Sequence, residues 1–340
     1  MKKVVGFGEI MLRMSPAGYY KFSQVDEFKV NYTGAEANVC VALSATGMTA
    51  EYVTKVPDND IARCAIATMR KFGVGVRHVV YGGDRLGSYY LERGASQRPS
   101  KVIYDRKYSS ISMAKREEFD WETILEGVDA FHFTGITVAL GENLPGICLD
   151  ACKVAKKKGV QVFCDLNYRK NLWTPEQAQH IMPEIVANVD VLVGNEEDAE
   201  KVLGVKAANS DVAKGELDRE SYVDVARQLS EKYGLKTVAF TLRTSISASD
   251  NNWAGIIYAD KNAYFSKKYK MHIVDRVGGG DSFAAGLIYA ICNGYDHQKT
   301  INFAVAASCL KHSIELDFNL STVSEIEALM GGDGSGRVQR

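Results

Sequence analysis

Apolar residues in this chain come in short runs, and the runs change character near residue 121. Lys3 to Met11 (KVVGFGEIM) is rich in Val, Phe and Ile and predicts a first buried strand. Residues 12–33 and 87–111 instead intersperse Tyr, Phe and Val with polar residues and turn formers such as Pro16 and Gly18. That pattern predicts hairpins, and the two regions are expected to pair into one small sheet beside the main body. Between them, Ala35 to Gly47 (AEANVCVALSATG) predicts a helix that stops at Gly47.

From about residue 121 the chain alternates. Strands are predicted at 128–135, 160–166, 189–194 and 236–242, with helices at 145–158, 175–187, 196–203 and 219–233. A strand at 271–274 and helices at 281–293 and 299–312 follow. Strands alternating with helices imply a parallel sheet covered on both faces, hence an α/β fold. Ligands of such sheets bind outside the carboxyl ends of the strands. Asn167 to Arg169, Asn195 to Asp198 and Arg243 to Ser245 therefore become candidate site segments. The Gly-rich polar end, residues 331–340, reads as a flexible tail.

Composition narrows the partners. With 41 basic and 42 acidic residues the net charge is -1, which gives no electrostatic case for nucleic acid or an anionic membrane. No segment approaches the ~20 apolar residues that span a bilayer. Glu9 and Arg13 interrupt the first apolar stretch, against a signal peptide. Seven cysteines without a CxxC pair fit reduced thiols in a cytoplasmic protein rather than a zinc site or a disulfide frame.

The chemistry concentrates at Gly278-Gly279-Gly280-Asp281, between the last predicted strand and a helix. Three glycines let the backbone approach a ligand and aim N–H groups at one point, and a helix N-terminus adds partial positive charge. Such a pocket suits a transferring phosphoryl group, with Asp281 accepting the proton of the attacking hydroxyl. A Gly-rich turn with Asp281 as helix N-cap explains the same four residues equally well. Neither a Walker A loop nor a GxGxxG fingerprint is present.

The wider segment Asp275-Arg276-Val277-Gly278-Gly279-Gly280-Asp281-Ser282-Phe283 resembles the D-x-x-G-x-G-D-x-F signature of ribokinase-like (PfkB) sugar kinases. Thr33-Gly34-Ala35-Glu36-Ala37-Asn38-Val39 is similar to their N-terminal sugar-binding signature, and Asn195-Glu196-Glu197-Asp198 to their N-x-x-E motif. Within the family the chain looks most like 2-keto-3-deoxygluconate kinases, through Tyr104-Asp105-Arg106-Lys107, Asp165-Leu166-Asn167-Tyr168-Arg169 and Leu172-Trp173-Thr174-Pro175-Glu176. Asp198 stands where glutamate is usual, and Arg243 and Ser245 where relatives commonly carry lysine and glycine.

The resemblance implies a three-layer α/β/α sandwich over residues 1–330, with a mainly parallel sheet and a small β-sheet lid from about 12–33 and 85–113. It implies a soluble kinase that moves the γ-phosphoryl group of ATP to the terminal hydroxyl of a sugar acid, with Mg²⁺ and, as a further candidate, a monovalent cation. Asp281 would be the base, with Gly278, Gly279 and Gly280 around the phosphoryl group. Gly34, Asn38, Tyr89, Tyr104, Arg106, Arg169 and Asp317 would contact the sugar. A neighbouring choice, Tyr90, and a solvated Asp317 are the rivals at two of these positions. Asn167, Asn195, Arg243 and Ser245 would face ATP, and Asn195 and Asp198 would reach the metal through water. A homodimer through the lid is implied as well. Kinases of a neutral sugar such as fructose or ribose, or of a nucleoside, and a catalytically silent sugar sensor are the alternatives.

Overall fold

Val4, Val5 and Phe7 are all fully buried on a strand of only five residues, Lys3–Phe7, so both faces of that strand are covered. In this computed structural model, which describes residues 1–207 and 219–332, that strand lies inside a nine-stranded sheet. The order is Asn262–Phe265, Asp250–Ala259, Thr237–Ser245, Val191–Gly194, Gln161–Asp165, Ala130–Thr134, Lys3–Phe7 and Thr49–Val53; Tyr269–His272 also pairs with Asp250–Ala259. Neighbours are parallel from Thr49–Val53 to Thr237–Ser245 and antiparallel beyond.

Helices cover both faces. One core cluster joins the sheet to Leu144–Lys158, Pro175–Val186, Glu196–Leu203 and Arg219–Tyr233. The other joins it to Ala35–Ala45, Asp60–Lys71, Gly279–Cys292 and His297–Lys311. This is the expected α/β/α arrangement. Among the described residues no helix is long and apolar enough to cross a membrane. All seven cysteines are free.

The two hairpin regions do form one four-stranded sheet, in the order Lys29–Thr33, Met11–Ser15, Gly87–Glu92, Lys101–Asp105. Its central pair is parallel and its outer pairs antiparallel. Alternation along the strands puts Met11, Arg13, Thr33, Tyr89 and Tyr104 on the face turned to the main body. Leu12, Met14, Val30, Tyr32, Tyr90 and Ile103 occupy the other face.

Three local expectations shift. The predicted strand at 271–274 is Tyr269–His272. Polar residues 244–252, which lie beyond the strand predicted at 236–242, largely continue the hairpin of Thr237–Ser245 with Asp250–Ala259. The Ser247 hydroxyl closes their turn by accepting from the backbone N–H of Ser249 and Asp250. Gly331 ends helix Val323–Gly331 instead of starting the tail, and residues 333–340 lie outside the described residues.

Candidate active site

The Gly run does not start its helix where the N-cap reading required. Gly278 is the N-cap, and helix Gly279–Cys292 places Asp281 inside the first turn. Gly278 has φ +85, and a Cβ there would stand 2.0 Å from the backbone oxygen of Asp317, so only glycine fits. The backbone N–H groups of Gly280 and Asp281 have no acceptor among the described residues, as expected of a helix start. Asp281 Oδ2 and the Asn38 side-chain amide share a 2.6 Å hydrogen bond. Burial pushes its carboxyl up to about 7; Glu36 and Asp317 add to the rise and Arg169 opposes it.

Asn38 arrives on helix Ala35–Ala45, entered from the small sheet through Gly34. Gly34 packs so tightly on strand-end Glu9 that a Cβ would meet its carbonyl oxygen at 1.9 Å. Tyr89 points into the same cleft with Tyr104, ring centroids 5.7 Å apart, whereas Tyr90 faces away. Arg106 is buried and ion-paired with Glu9, its Nε donating at 2.7 Å. Arg169 lines the cleft, is exposed, and has no carboxylate partner among the described residues. The cleft holds about 390 Å³, in the range of small-ligand sites.

Asp317 is not a solvated loop residue. It is 1% exposed, ion-paired with Arg13, and accepts from the Thr33 and Tyr89 hydroxyls at 2.7 Å each. Arg13, equally buried, also donates to Asp275 at 3.0 Å and to the Ser15 hydroxyl. The guanidinium thus ties the small sheet to both segments that flank the Gly run. Sequence reading passed over Arg13, and its only signal was a charge at an inward-facing position of a strand.

On the opposite side, Asn195 caps helix Glu196–Leu203 and accepts from the Asp198 N–H at 2.9 Å. Asp198 accepts from the backbone of Tyr168 at 3.0 Å. Asn167 and Arg243 line the cleft near them, while Ser245 lines a neighbouring cavity with Ser96, Gln97 and Arg276. Trp253, Arg276 and His312 also line the main cleft and were not singled out from sequence. His312 donates from Nδ1 to the Ser308 carbonyl at 2.7 Å, and burial lowers it to about 4, so the ring is neutral.

A sequence profile described as pfkB family carbohydrate kinase matches residues 1–313. The chain belongs to that family. A solved 2-dehydro-3-deoxygluconokinase from Thermotoga maritima is 52% identical, with a TM-score of 0.94 over 97% of this chain and 98% of that one. A 2-dehydro-3-deoxygalactonokinase from Haloferax volcanii is 30% identical over 98% of both chains. A putative ribokinase II from E. coli, solved in complex with ATP and Mg²⁺, shares the fold at 18% identity and TM-score 0.78, over 97% of this chain and 99% of that one.

In this carbohydrate kinase, acidic groups crowd the mouth beside the Gly run. Burial holds Asp165 well above the usual carboxylate range, and Asp198 and Asp281 reinforce that rise. Burial likewise pushes Asp198 up to about 6. Facing carboxylates of this kind fit a nearby divalent cation, which would relieve their mutual repulsion. No cluster of three His, Cys, Asp or Glu is arranged to chelate an ion among the described residues. A cation held mainly by phosphate oxygens and water, as Mg²⁺ prefers, fits beside such carboxylates.

Proposed function

We propose that the protein transfers the γ-phosphoryl group of ATP to the terminal 6-hydroxyl of 2-keto-3-deoxygluconate or a closely related sugar acid. The observation that carries this reading is Arg169, an exposed guanidinium that forms no ion pair among the described residues, in the cleft that holds Asp281. A neutral sugar gives such a group nothing to neutralise, whereas a substrate carboxylate matches its fork. Arg106, already balanced by Glu9, supplies hydrogen-bonding direction more than net charge.

Asp281 takes the hydroxyl proton, and a carboxyl held near neutrality is suited to that role. The free N–H groups of Gly280 and Asp281 meet the charge that develops on the phosphoryl oxygens. Mg²⁺, when bound, supplies further neutralisation of the phosphates. Asn167 and Arg243 would face the nucleotide, and Asn195 and Asp198 would hold the metal through water. The small sheet acts as a lid whose inner face, with Tyr89 and Tyr104, covers the sugar and excludes water. Its outer face carries Val30 and Ile103, each more than half exposed, and a second copy would cover them in a homodimer. Seven unpaired cysteines accord with a cytoplasmic setting.

Comparing kcat/KM on 2-keto-3-deoxygluconate, 2-keto-3-deoxygalactonate, fructose, ribose and adenosine tests the reading. Wild type should prefer the acids. Arg169→Ala should lose about 10- to 100-fold on the acids, mostly through KM, and little on residual neutral-sugar turnover. A variant that loses equally on all five substrates contradicts a carboxylate contact.

A further inference from the structure

Asp281, Asn38, Thr33 and Asp317 form a relay whose hydrogens can be counted. Asn38 bonds Asp281 Oδ2 at 2.6 Å, the Thr33 hydroxyl meets the other end of the Asn38 amide at 2.7 Å, and the same hydroxyl meets Asp317 Oδ2 at 2.7 Å. Three contacts need three hydrogens. The Asn38 amide supplies one, at its nitrogen end only, and Thr33 supplies one. With both carboxylates ionised the relay is one hydrogen short, whichever way the amide is turned.

Two arrangements satisfy it. If the amide nitrogen faces Asp281, Thr33 donates to Asn38 and the missing hydrogen must sit on Asp317. If the amide is turned over, its nitrogen donates to Thr33, Thr33 donates to Asp317, and the hydrogen sits on Asp281. The amide's orientation follows from the network. Asp317 is ion-paired with buried Arg13 and accepts from Tyr89 as well, so its oxygens are already engaged as acceptors. Other charges that face it are Asp275, the second partner of Arg13, and buried Lys311.

Asp281 has no such cation at hydrogen-bond distance. Glu36 faces it from helix Ala35–Ala45 and Asp165 from strand Gln161–Asp165; Arg169 and Lys311 act on it from further away. The charges around the two carboxylates therefore favour the second arrangement.

We propose that Asp281 and Asp317 share a single proton through Thr33 and Asn38, that this proton rests on Asp281 in the sugar-free enzyme, and that Thr33 and Asn38 are positioning residues that set the ionisation of the base. This rests on the reading of Asp281 as base. A sugar hydroxyl that enters between Asn38 and Asp281 brings one hydrogen and one further contact, so the relay stays one hydrogen short. Above its titration midpoint Asp281 gives the shared proton to solvent and can then accept the hydrogen of the acceptor hydroxyl.

Titration of sugar-free enzyme carrying ¹³C-carboxyl aspartate tests this by NMR, with the Asp281 signal assigned by its loss in Asp281→Asn. Wild-type Asp281 should titrate close to neutrality. Thr33→Val removes the demand for a hydrogen beyond Asn38, and Asp317→Asn supplies it from the far end through its amide. Both should lower the Asp281 midpoint by about one pH unit or more, and Thr33→Ser should leave it in place. An unchanged midpoint in both Thr33→Val and Asp317→Asn overturns the proposal, as does wild-type Asp281 ionised at pH 5. No sugar is present in this titration, so its outcome is separable from that of the substrate panel.

Discussion

A carboxyl group held near neutrality loses and regains a proton within the working pH range, and Asp281 is such a group. Protonated Asp281 cannot accept the hydroxyl hydrogen. The log of kcat/KM should therefore climb with a slope of about one from pH 5 and level off above about 7. Stability follows the opposite sense. The folded carboxyl keeps its proton to about 7 while the unfolded chain loses it near the ordinary aspartate value of 3.8, so Asp281 destabilises the fold progressively as pH rises through that window. Asp281→Asn should raise the melting temperature at pH 8 by at least ~2 °C and by less at pH 5, measured by calorimetry. Equal shifts at both pH values would contradict a raised carboxyl. At this scale the sequence showed Asp281, Asn38 and Arg169 because each sits in a compact local motif. It did not show Arg13, whose two carboxylate partners lie 262 and 304 residues away. Contacts of that separation exist only once the sheet and the Gly-run helix are assembled.

Between elements, the helix Gly279–Cys292 depends on a backbone conformation at its N-cap that other residues adopt only under strain. Gly278→Ala meets both the positive φ and the Asp317 carbonyl, so it should cost roughly 2 kcal/mol or more in denaturant unfolding. Because it moves the N–H groups of Gly280 and Asp281, it should lower kcat more than it raises KM for the sugar. Arg13→Met leaves Asp275 and Asp317 buried without their cation and should destabilise by about 3–5 kcal/mol. Wild-type unfolding midpoints in either variant would contradict these packing arguments. The central strands were legible because continuous apolar runs such as Val191–Gly194 admit no other reading. The hairpin after Thr237–Ser245 was not, because Asp250, Asn251 and Asn252 open its second strand and polar residues signal a loop. Tertiary pairing with Lys270 to His272 overrides that local signal.

For the molecule as a whole, alternation of strand and helix was enough to predict a covered, mostly parallel sheet, and the family signatures supplied its three-layer form. The small sheet's two-faced pattern, inward to the cleft and outward to Val30 and Ile103, also follows from period-two alternation. If the proposed homodimer forms through that face, Ile103→Lys should have the mass of a monomer in light scattering at micromolar concentration where wild type has that of a dimer, and equal masses would contradict that surface. Phosphoryl transfer to a sugar acid with Asp281 as base rests finally on one rate. ADP release with ATP, Mg²⁺ and 2-keto-3-deoxygluconate should be rapid for wild type and at least about 10³-fold slower for Asp281→Asn, which should still bind both ligands. Near-normal turnover in that variant, or a wild type that releases ADP with fructose or ribose but not with the sugar acid, would contradict it.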